Sequence, residues 1–473
     1  MLKNLPARIF REYDIRGVAE TELTDEVIDA IASAYGQMVL DCGGKTISIG
    51  RDVRMSSERI LKSFSGAITR LGIHILDVGI VPTPLLYFSL FNLPVDGGVM
   101  ITASHNPPQD NGLKLAIGQE TIHGSRIMEI RERIERQSPT PPVSQKGLIR
   151  PVPVRSSYIR EIRDRLSLMP PFMGRPVHAV IDCGNGTGGL VARDLYNALG
   201  VRTTLLFERP DGNFPNHHPD PSVPENLETL IAEVIKQKAD IGIAFDGDSD
   251  RIGVVTGKGE LLFGDQLMVL FSEQVLKRNP GAMIISEVKA SKVLYDEISR
   301  MGGKPLMWKA GHSVIKAKMK EEGAPLAGEM SGHIFFKDGY FGFDDALYAG
   351  ARIIQFMVEQ QKTLSELLDR IPKTANTPEL RMDCPDSLKF KLVDTLKSLL
   401  KKSGTFFIDI DGVRVEYPDG WGLVRASNTQ PALVLRFEGP TIQRRDEIRS
   451  IIESMLQEAK ELMKKEDPSI STL

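Results

Sequence analysis

Three times along the chain, an apolar strand runs straight into a short loop of specialised polar residues. The three segments are GVMITASHNP (98–107), IGIAFDGDSDR (241–251) and APLAGEMSGH (324–333). Upstream of each lies another apolar strand ending in a polar turn: TISIGRD (46–52), AVIDCGNG (179–186) and MIISEVKAS (283–291). Strands that are apolar throughout belong to sheets covered on both faces, and strands alternating with helices predict an α/β layer with a largely parallel sheet. Ligands of such sheets sit beyond the carboxyl ends of the strands. The repetition therefore predicts three similar domains, each delivering one loop to a shared cleft.

The helices between the strands follow from spacing. Thr24 can cap a helix over 24–43, where Ile28, Ile31, Tyr35 and Met38 fall near one face and Gly43-Gly44 end it. Ser56 or Ser57 can cap the next, with Ile60, Leu61, Phe64, Ile68 and Leu71 as its stripe. QSPTPPVSQKG (137–147) and IPKTANTPEL (371–380) read as linkers. After the second, a helix (about 386–402), strands within FFIDIDGVRVEYPDGWGLVRAS and LVLRFEG, and a charged helix (about 443–464) describe a different, α+β unit. The expected fold is α/β: three similar mixed α/β domains plus a C-terminal α+β domain around a central cleft, divided 1–148, 149–255, 256–370 and 371–473.

Composition excludes several classes. Net charge is −3 over 473 residues, so no global basic field exists to hold nucleic acid or an anionic membrane. Cys42, Cys183 and Cys384 lie far apart without metal-ligand spacing, which suits a reducing compartment. The N-terminal segment lacks a signal-peptide apolar core, and no run approaches the ~18 apolar residues of a membrane span. A cytoplasmic protein, monomeric or weakly dimeric, is expected.

The loops carry the chemistry. Thr102-Ala103-Ser104-His105-Asn106-Pro107 follows the strand GVMI and is stopped by Asn-Pro, which predicts the Ser104 hydroxyl on an exposed bend. A plain capped turn explains the segment equally well. A Ser–His hydrolase does not, because adjacent side chains point apart and no nucleophile elbow surrounds the serine. Alternate Asp246, Asp248 and Asp250 can converge hard oxygens on a cation of the Mg²⁺ or Ca²⁺ type. An EF-hand is ruled out, since its sixth and twelfth positions hold Arg251 and Gly257 instead of Gly and Glu. Glu329 and Ser331, two apart in a glycine-flanked loop, would share a face if extended and could grip sugar hydroxyls; a glycine turn is the simpler reading. Arg425-Ala426-Ser427-Asn428-Thr429-Gln430-Pro431 has the makings of an anion nest, with Arg425 exposed, though a capped polar turn fits it too. Arg16 and the segment Lys309-Ala310-Gly311-His312 complete the candidates.

Taken together and in this order, T-A-S-H-N-P, D-G-D-S-D-R, G-E-M-S-G-H and R-A-S-N-T-Q-P resemble the loops of the α-D-phosphohexomutase superfamily across essentially the whole chain. The Met in G-E-M-S-G-H is similar to the phosphomannomutase/phosphoglucomutase branch, where phosphoglucosamine mutases usually carry Gln. The resemblance implies a phosphorylated Ser104 completing a metal site with Asp246, Asp248 and Asp250. It implies that Glu329 and Ser331 hold the sugar's O3 and O4. Arg425, Ser427, Asn428 and Thr429 would anchor the unreacting phosphate, and Tyr13, Arg16, Lys114, Lys289, Gly311 and His312 would line the cleft. Ser249 departs from the Gly or Ala more usual between the aspartates.

A phosphoserine adds roughly −1.5 to −2 charges, and three aspartates add more, so Mg²⁺ with Arg251 is the natural neutraliser. The implied reaction interconverts hexose 1-phosphate and hexose 6-phosphate, of mannose and/or glucose, through a hexose 1,6-bisphosphate that turns end for end. Lys114, His312 and Arg251 are the candidates for general base. The rivals are a phosphoglucosamine mutase and a catalytically silent sugar-phosphate-binding protein.

Overall fold

The structure is a computed structural model and describes residues 5–136, 145–427 and 431–467. The first sheet is built on β1 (Thr46–Arg51), β2 (His74–Ile80), β3 (Gly97–Ile101) and β4 (Asp110–Ile117). The second holds β5 (His178–Asp182), β6 (Arg202–Leu206), β7 (Ile241–Phe245) and β8 (Ile252–Thr256). The third holds β9 (Met283–Glu287), β10 (Lys304–Trp308), β11 (Leu326–Gly328) and β12 (Ile334–Phe336). Their strand orders are β4-β3-β1-β2, β8-β7-β5-β6 and β12-β11-β9-β10, one permutation used three times. In each, three adjacent strands are parallel and the strand after the specialised loop returns antiparallel. The repeat that is faint in sequence is therefore complete in topology. β3, β5 and β7 are buried along their whole length, as strands covered on both faces must be.

Short strands at the sheet edges overrun two expected boundaries. Ile149–Pro151 pairs with β2, and Leu261–Leu262 pairs with β8. Each caps an edge that would otherwise expose unpaired backbone groups. The segment 371–380 is likewise more than a linker. Ala375–Asn376 and Leu380–Asp383 both pair with the last strand of the fourth sheet. The expected linker 137–147 lies mostly outside the described residues.

Local signals place the helices well. Thr24 caps Asp25–Asp41 by accepting from the Val27 N–H at 3.4 Å. Ser56 precedes Ser57–Arg70 but makes no capping bond, and Ser57 donates instead to Asp52 at 2.7 Å. The tail helices run Lys389–Ser403 and Ile442–Glu466, the latter capped by Thr441. Between them lie β13 (Val413–Tyr417), β14 (Gly420–Ala426) and β15 (Ala432–Gly439), an antiparallel meander.

The apolar cores divide the molecule unevenly. One continuous core passes from Leu85 and Phe88 through Tyr158, Leu195 and Phe245 to Leu326 and Phe356, joining the first three domains. The fourth domain has its own core, with Leu392, Phe437 and Ile452. It meets the third through the small apolar contact of Val288, Trp421 and Leu423. Among the described residues no helix is long and apolar enough to cross a membrane.

Candidate active site

β3 delivers Ser104 at its carboxyl end, but not on an exposed bend: Ser104 is 2% exposed. Two features bury it. The guanidinium of Arg54, itself buried, donates to the carbonyls of Ser104 (2.9 Å), Asn106 (2.6 Å), Pro107 (2.5 Å) and Asp110 (3.0 Å) and pulls the loop inward. From the other side Gly247 presses on the serine. A Cβ there would lie 2.5 Å from the Ser104 carbonyl oxygen, so only glycine lets the second domain approach. Ser104 adopts φ 51°, in the left-handed region, with its N–H bonded to Thr102 Oγ1 at 2.9 Å. Arg54 is absent from the sequence-based candidates; its signal was a lone cation two residues beyond Asp52, with which it pairs at 3.1 Å.

The serine hydroxyl donates to Asp246 Oδ2 at 2.5 Å, across the boundary between the first and second domains. It also lies 3.0 Å from His105 Nδ1, contrary to the expectation that neighbouring side chains diverge. The left-handed turn at Ser104 brings the two together. Burial, then Arg251 and Arg16, hold the His105 imidazole well below its usual range and therefore neutral.

Asp246, Asp248 and Asp250 are fully buried, with one oxygen of each within 4.8 Å of the others. Burial, followed by the charges of Asp248 and Asp250, raises the Asp246 carboxyl well above the ordinary range. Lys114 Nζ donates to Asp248 (2.7 Å) and Asp250 (2.5 Å), and Thr83 Oγ1 donates to Asp248 (2.5 Å). Although burial works against it, the Lys114 charge holds Asp248 ionised below its normal range. Burial would lower Lys114 as well, but the two aspartates push it well above normal. Asp248 Oδ1 and Asp250 Oδ1 are buried without a hydrogen-bond partner among the described residues. A buried acidic triad with unpartnered hard oxygens fits a divalent cation of the Mg²⁺ type. Ser249 takes φ 61° between these aspartates; its N–H donates to the Asp246 carbonyl at 3.1 Å, and its hydroxyl is buried without a hydrogen-bond partner among the described residues.

The third loop meets the second. Arg251 Nε donates to His333 Nε2 at 3.0 Å, and the Ile252 N–H donates to the Gly332 carbonyl at 3.1 Å. The segment 329–332 is not extended: the Gly332 N–H closes a turn onto the Glu329 carbonyl at 3.0 Å, so the shared-face argument for Glu329 and Ser331 does not hold. Glu329 is buried and accepts from the Gly311 N–H at 2.7 Å; Ser331 is half-buried. Gly311 has φ 131°, and a Cβ there would strike the Tyr13 ring at 2.3 Å, while Tyr13 donates to the Ala310 carbonyl at 2.5 Å. Arg16 reaches the serine loop, donating to Asn106 at 2.7 Å and to Asp14 at 2.5 Å.

His333 and Asp344 were not singled out from the sequence. Asp344 lies 3.0 Å from His333 Nδ1, 3.7 Å from His312 Nδ1 and 3.0 Å from Lys316 Nζ, so one buried carboxylate gathers two histidines. His333 ends a quoted loop, but nothing in the sequence ties Asp344 to it. Burial, with Lys316 next, holds His312 well below its usual range, so it is neutral.

In the fourth domain, Arg425 at the end of β14 is buried rather than exposed. It pairs with Asp411 at 3.1 Å, and Asp411 also accepts from the Ala310 N–H at 3.1 Å. Its Nε is buried without a partner among the described residues. Lys289 faces Glu379 at 3.2 Å. Ser427 is buried, and its N–H donates to the Ala432 carbonyl at 2.9 Å. Asn428 and Thr429 lie outside the described residues.

Comparison with known proteins gives one answer. Four models of phosphoglucomutase/phosphomannomutase match in order: alpha/beta/alpha domain I over residues 7–140, domain II over 156–259, domain III over 263–375 and the C-terminal domain over 379–454. A phosphomannomutase/phosphoglucomutase of Pseudomonas aeruginosa is 44% identical over 452 residues, covering 96% of each chain. A phosphoglucomutase of Neisseria gonorrhoeae is 44% identical, covering 94% of this chain and 97% of its own. The solved structure of a phosphoglucomutase/phosphomannomutase family protein from Burkholderia thailandensis superposes with a TM-score of 0.89 at 42% identity, covering 96% of this chain and 98% of that one.

Proposed function

The chain belongs to the phosphoglucomutase/phosphomannomutase family and is a hexose-phosphate mutase; from that premise we propose that Ser104 is the residue that carries the phosphoryl group in transit. The observation behind this reading is the 2.5 Å contact of Ser104 Oγ with Asp246, beside the convergent Asp248 and Asp250. Phosphoryl transfer asks a protein mainly for in-line placement and neutralisation of charge on the moving oxygens. Asp246, Asp248 and Asp250 would hold Mg²⁺ beside the phosphorylated serine. The cation would supply charge neutralisation at the transferring oxygens.

In the first half-reaction the P–Oγ bond of phosphorylated Ser104 breaks and a P–O bond forms at a free hydroxyl of the hexose phosphate, giving a hexose 1,6-bisphosphate. The hydroxyl proton needs an acceptor. Lys114 is engaged as an ammonium by two carboxylates and Arg251 is a cation, which leaves His312, with Asp344 3.7 Å from its Nδ1, as the proposed acceptor. The second half-reaction reverses these steps at the other end of the sugar and returns a phosphoryl group to Ser104.

The sugar lies between these groups and the fourth domain. Glu329 and Ser331 hold its hydroxyls, with Tyr13, Arg16 and Gly311 shaping the near wall. Arg425, Ser427, Asn428, Thr429 and Lys289 take the phosphate that is not reacting. The Arg425 Nε, without a partner among the described residues, and the nearby Lys289 ammonium support that placement.

The test is Ser104→Ala, assayed with glucose 1-phosphate and mannose 1-phosphate in Mg²⁺. The expected result is a fall in kcat of at least about 10³-fold, not rescued by glucose 1,6-bisphosphate. Wild-type turnover in that variant would reject the assignment.

A further inference from the structure

On β13, β14 and β15, six side chains form two rungs across one face of the fourth sheet. Arg414 stands opposite Leu423, which stands opposite Arg436; Glu416 stands opposite Trp421, which stands opposite Glu438. Alternation along β14 puts Arg425 on the same face, one step beyond Leu423. This face meets the turn that follows β9 in the third domain. Arg414 Nη1 donates to the carbonyls of Val288 and Ala290, both at 2.7 Å. Arg436 Nη1 donates to the carbonyl of Lys289, and it lies 3.4 Å from Asp265.

Three consecutive carbonyls of one turn are therefore held by two guanidiniums from another domain. Both arginines are essentially fully buried, at 1% and 2% exposure. Trp421 supports them from the rung between, with the Arg414 guanidinium 3.7 Å from its ring centre and Arg436 at 5.8 Å. The Trp421 indole N–H is fixed in turn by Glu438 at 3.0 Å, which also accepts from the Lys292 N–H at 3.2 Å. Burying two cations is costly unless geometry and hydrogen bonding are good. A plain domain contact could be built from apolar groups alone, so the expense points to a placement that matters.

We propose that Arg414 and Arg436 are positioning residues for substrate phosphate: they clamp the 288–290 backbone to the fourth sheet so that Lys289 and Arg425 form one preassembled anion grip. This rests on the reading of Lys289 and Arg425 as phosphate ligands. The side chain of Lys289 belongs to the third domain by sequence, but its backbone is fastened to the fourth. The clamp therefore holds Lys289 beside Arg425 while the fourth domain is seated on the third. The same face supplies both the fastening and Arg425, which fixes the separation of the two cations.

The experiment uses the intact enzyme with glucose 1-phosphate, Mg²⁺ and glucose 1,6-bisphosphate, comparing Lys289→Gln, Arg414→Lys and the double variant. Lys keeps the charge but loses the planar guanidinium that stacks on Trp421 and bonds Glu416 through Nε while Nη1 bridges the two carbonyls. Arg414→Lys is therefore expected to raise KM about tenfold with kcat within about twofold. Because Arg414 acts through Lys289, adding Arg414→Lys to Lys289→Gln should raise KM no further than Lys289→Gln alone. A merely structural role would lower the melting temperature and leave KM in place. Wild-type KM in folded Arg414→Lys, or multiplied effects in the double variant, overturns the proposal while leaving the phosphate grip standing. Unchanged KM in Lys289→Gln overturns both. If Arg414→Lys does not fold, Arg436→Lys is read by the same criteria.

Discussion

Lys114 shows how a single side chain can set the character of a site. It reaches from the first domain between Asp248 and Asp250 of the second, all three buried. Without its ammonium, two buried carboxylates would face each other unbalanced, an arrangement that costs about 3–5 kcal/mol. Lys114→Met should therefore melt well below the wild type in EDTA, and added Mg²⁺ should raise its melting temperature by more than it raises that of the wild type. Differential scanning fluorimetry with and without Mg²⁺ reads both numbers. Equal gains in the two proteins would show that the triad does not bind the cation where Lys114 acts.

At the scale of elements, the loops owe their placement to the strands that end in them, and their fit to a few glycines. Gly247 lies against the Ser104 carbonyl, so Gly247→Ala has to push the aspartate loop away from the serine loop. Overpacking of this kind costs about 1–3 kcal/mol, and the displaced aspartates should cut kcat by about tenfold or more, measured beside KM in the coupled mutase assay. The sequence showed these strands and loops plainly, because apolar runs interrupted by chemically loaded turns survive as local signals. It also placed Thr24, the tail helices and the acidic triad. It could not show burial contributed by distant residues. Ser104 looked exposed because Arg54 and Gly247, which cover it, lie far off along the chain. Arg425 looked exposed because Asp411 comes from a separate turn. Asp344 carried no signal at all, since its two histidines converge only in the folded third domain. The turn at 329–332 defeated a two-residue periodicity that holds only for extended chain.

Across the whole molecule, the first three domains behave as one body, because a continuous core joins them. Asp345 is one of its polar ties. It accepts from Tyr158, on the helix Arg155–Leu166, and from Tyr340 in the third domain, at 2.9 and 2.7 Å. Burial raises its carboxyl from 3.8 to about 6, despite bonds from the Tyr348 N–H and the two tyrosines. The folded chain thus holds this proton more tightly than the unfolded chain. The stabilisation is complete below the unfolded value and is lost as pH rises through about 6. Asp345→Asn keeps a helix-capping oxygen for the Tyr348 N–H and removes the ionisation. Its melting temperature should gain on the wild type between about pH 4 and pH 7, and a flat difference across that window would refute the assignment. The enclosure of Ser104 has a separate outcome for how the enzyme is primed. A protein kinase must seize several residues of extended chain around its target, whereas residues 102–106 are folded into a tight turn and tied down by a buried guanidinium. On the proposed reading of Ser104 as the phosphoryl carrier, its donor would be a small molecule such as a sugar bisphosphate rather than a protein, and the same enclosure would shield the carried group.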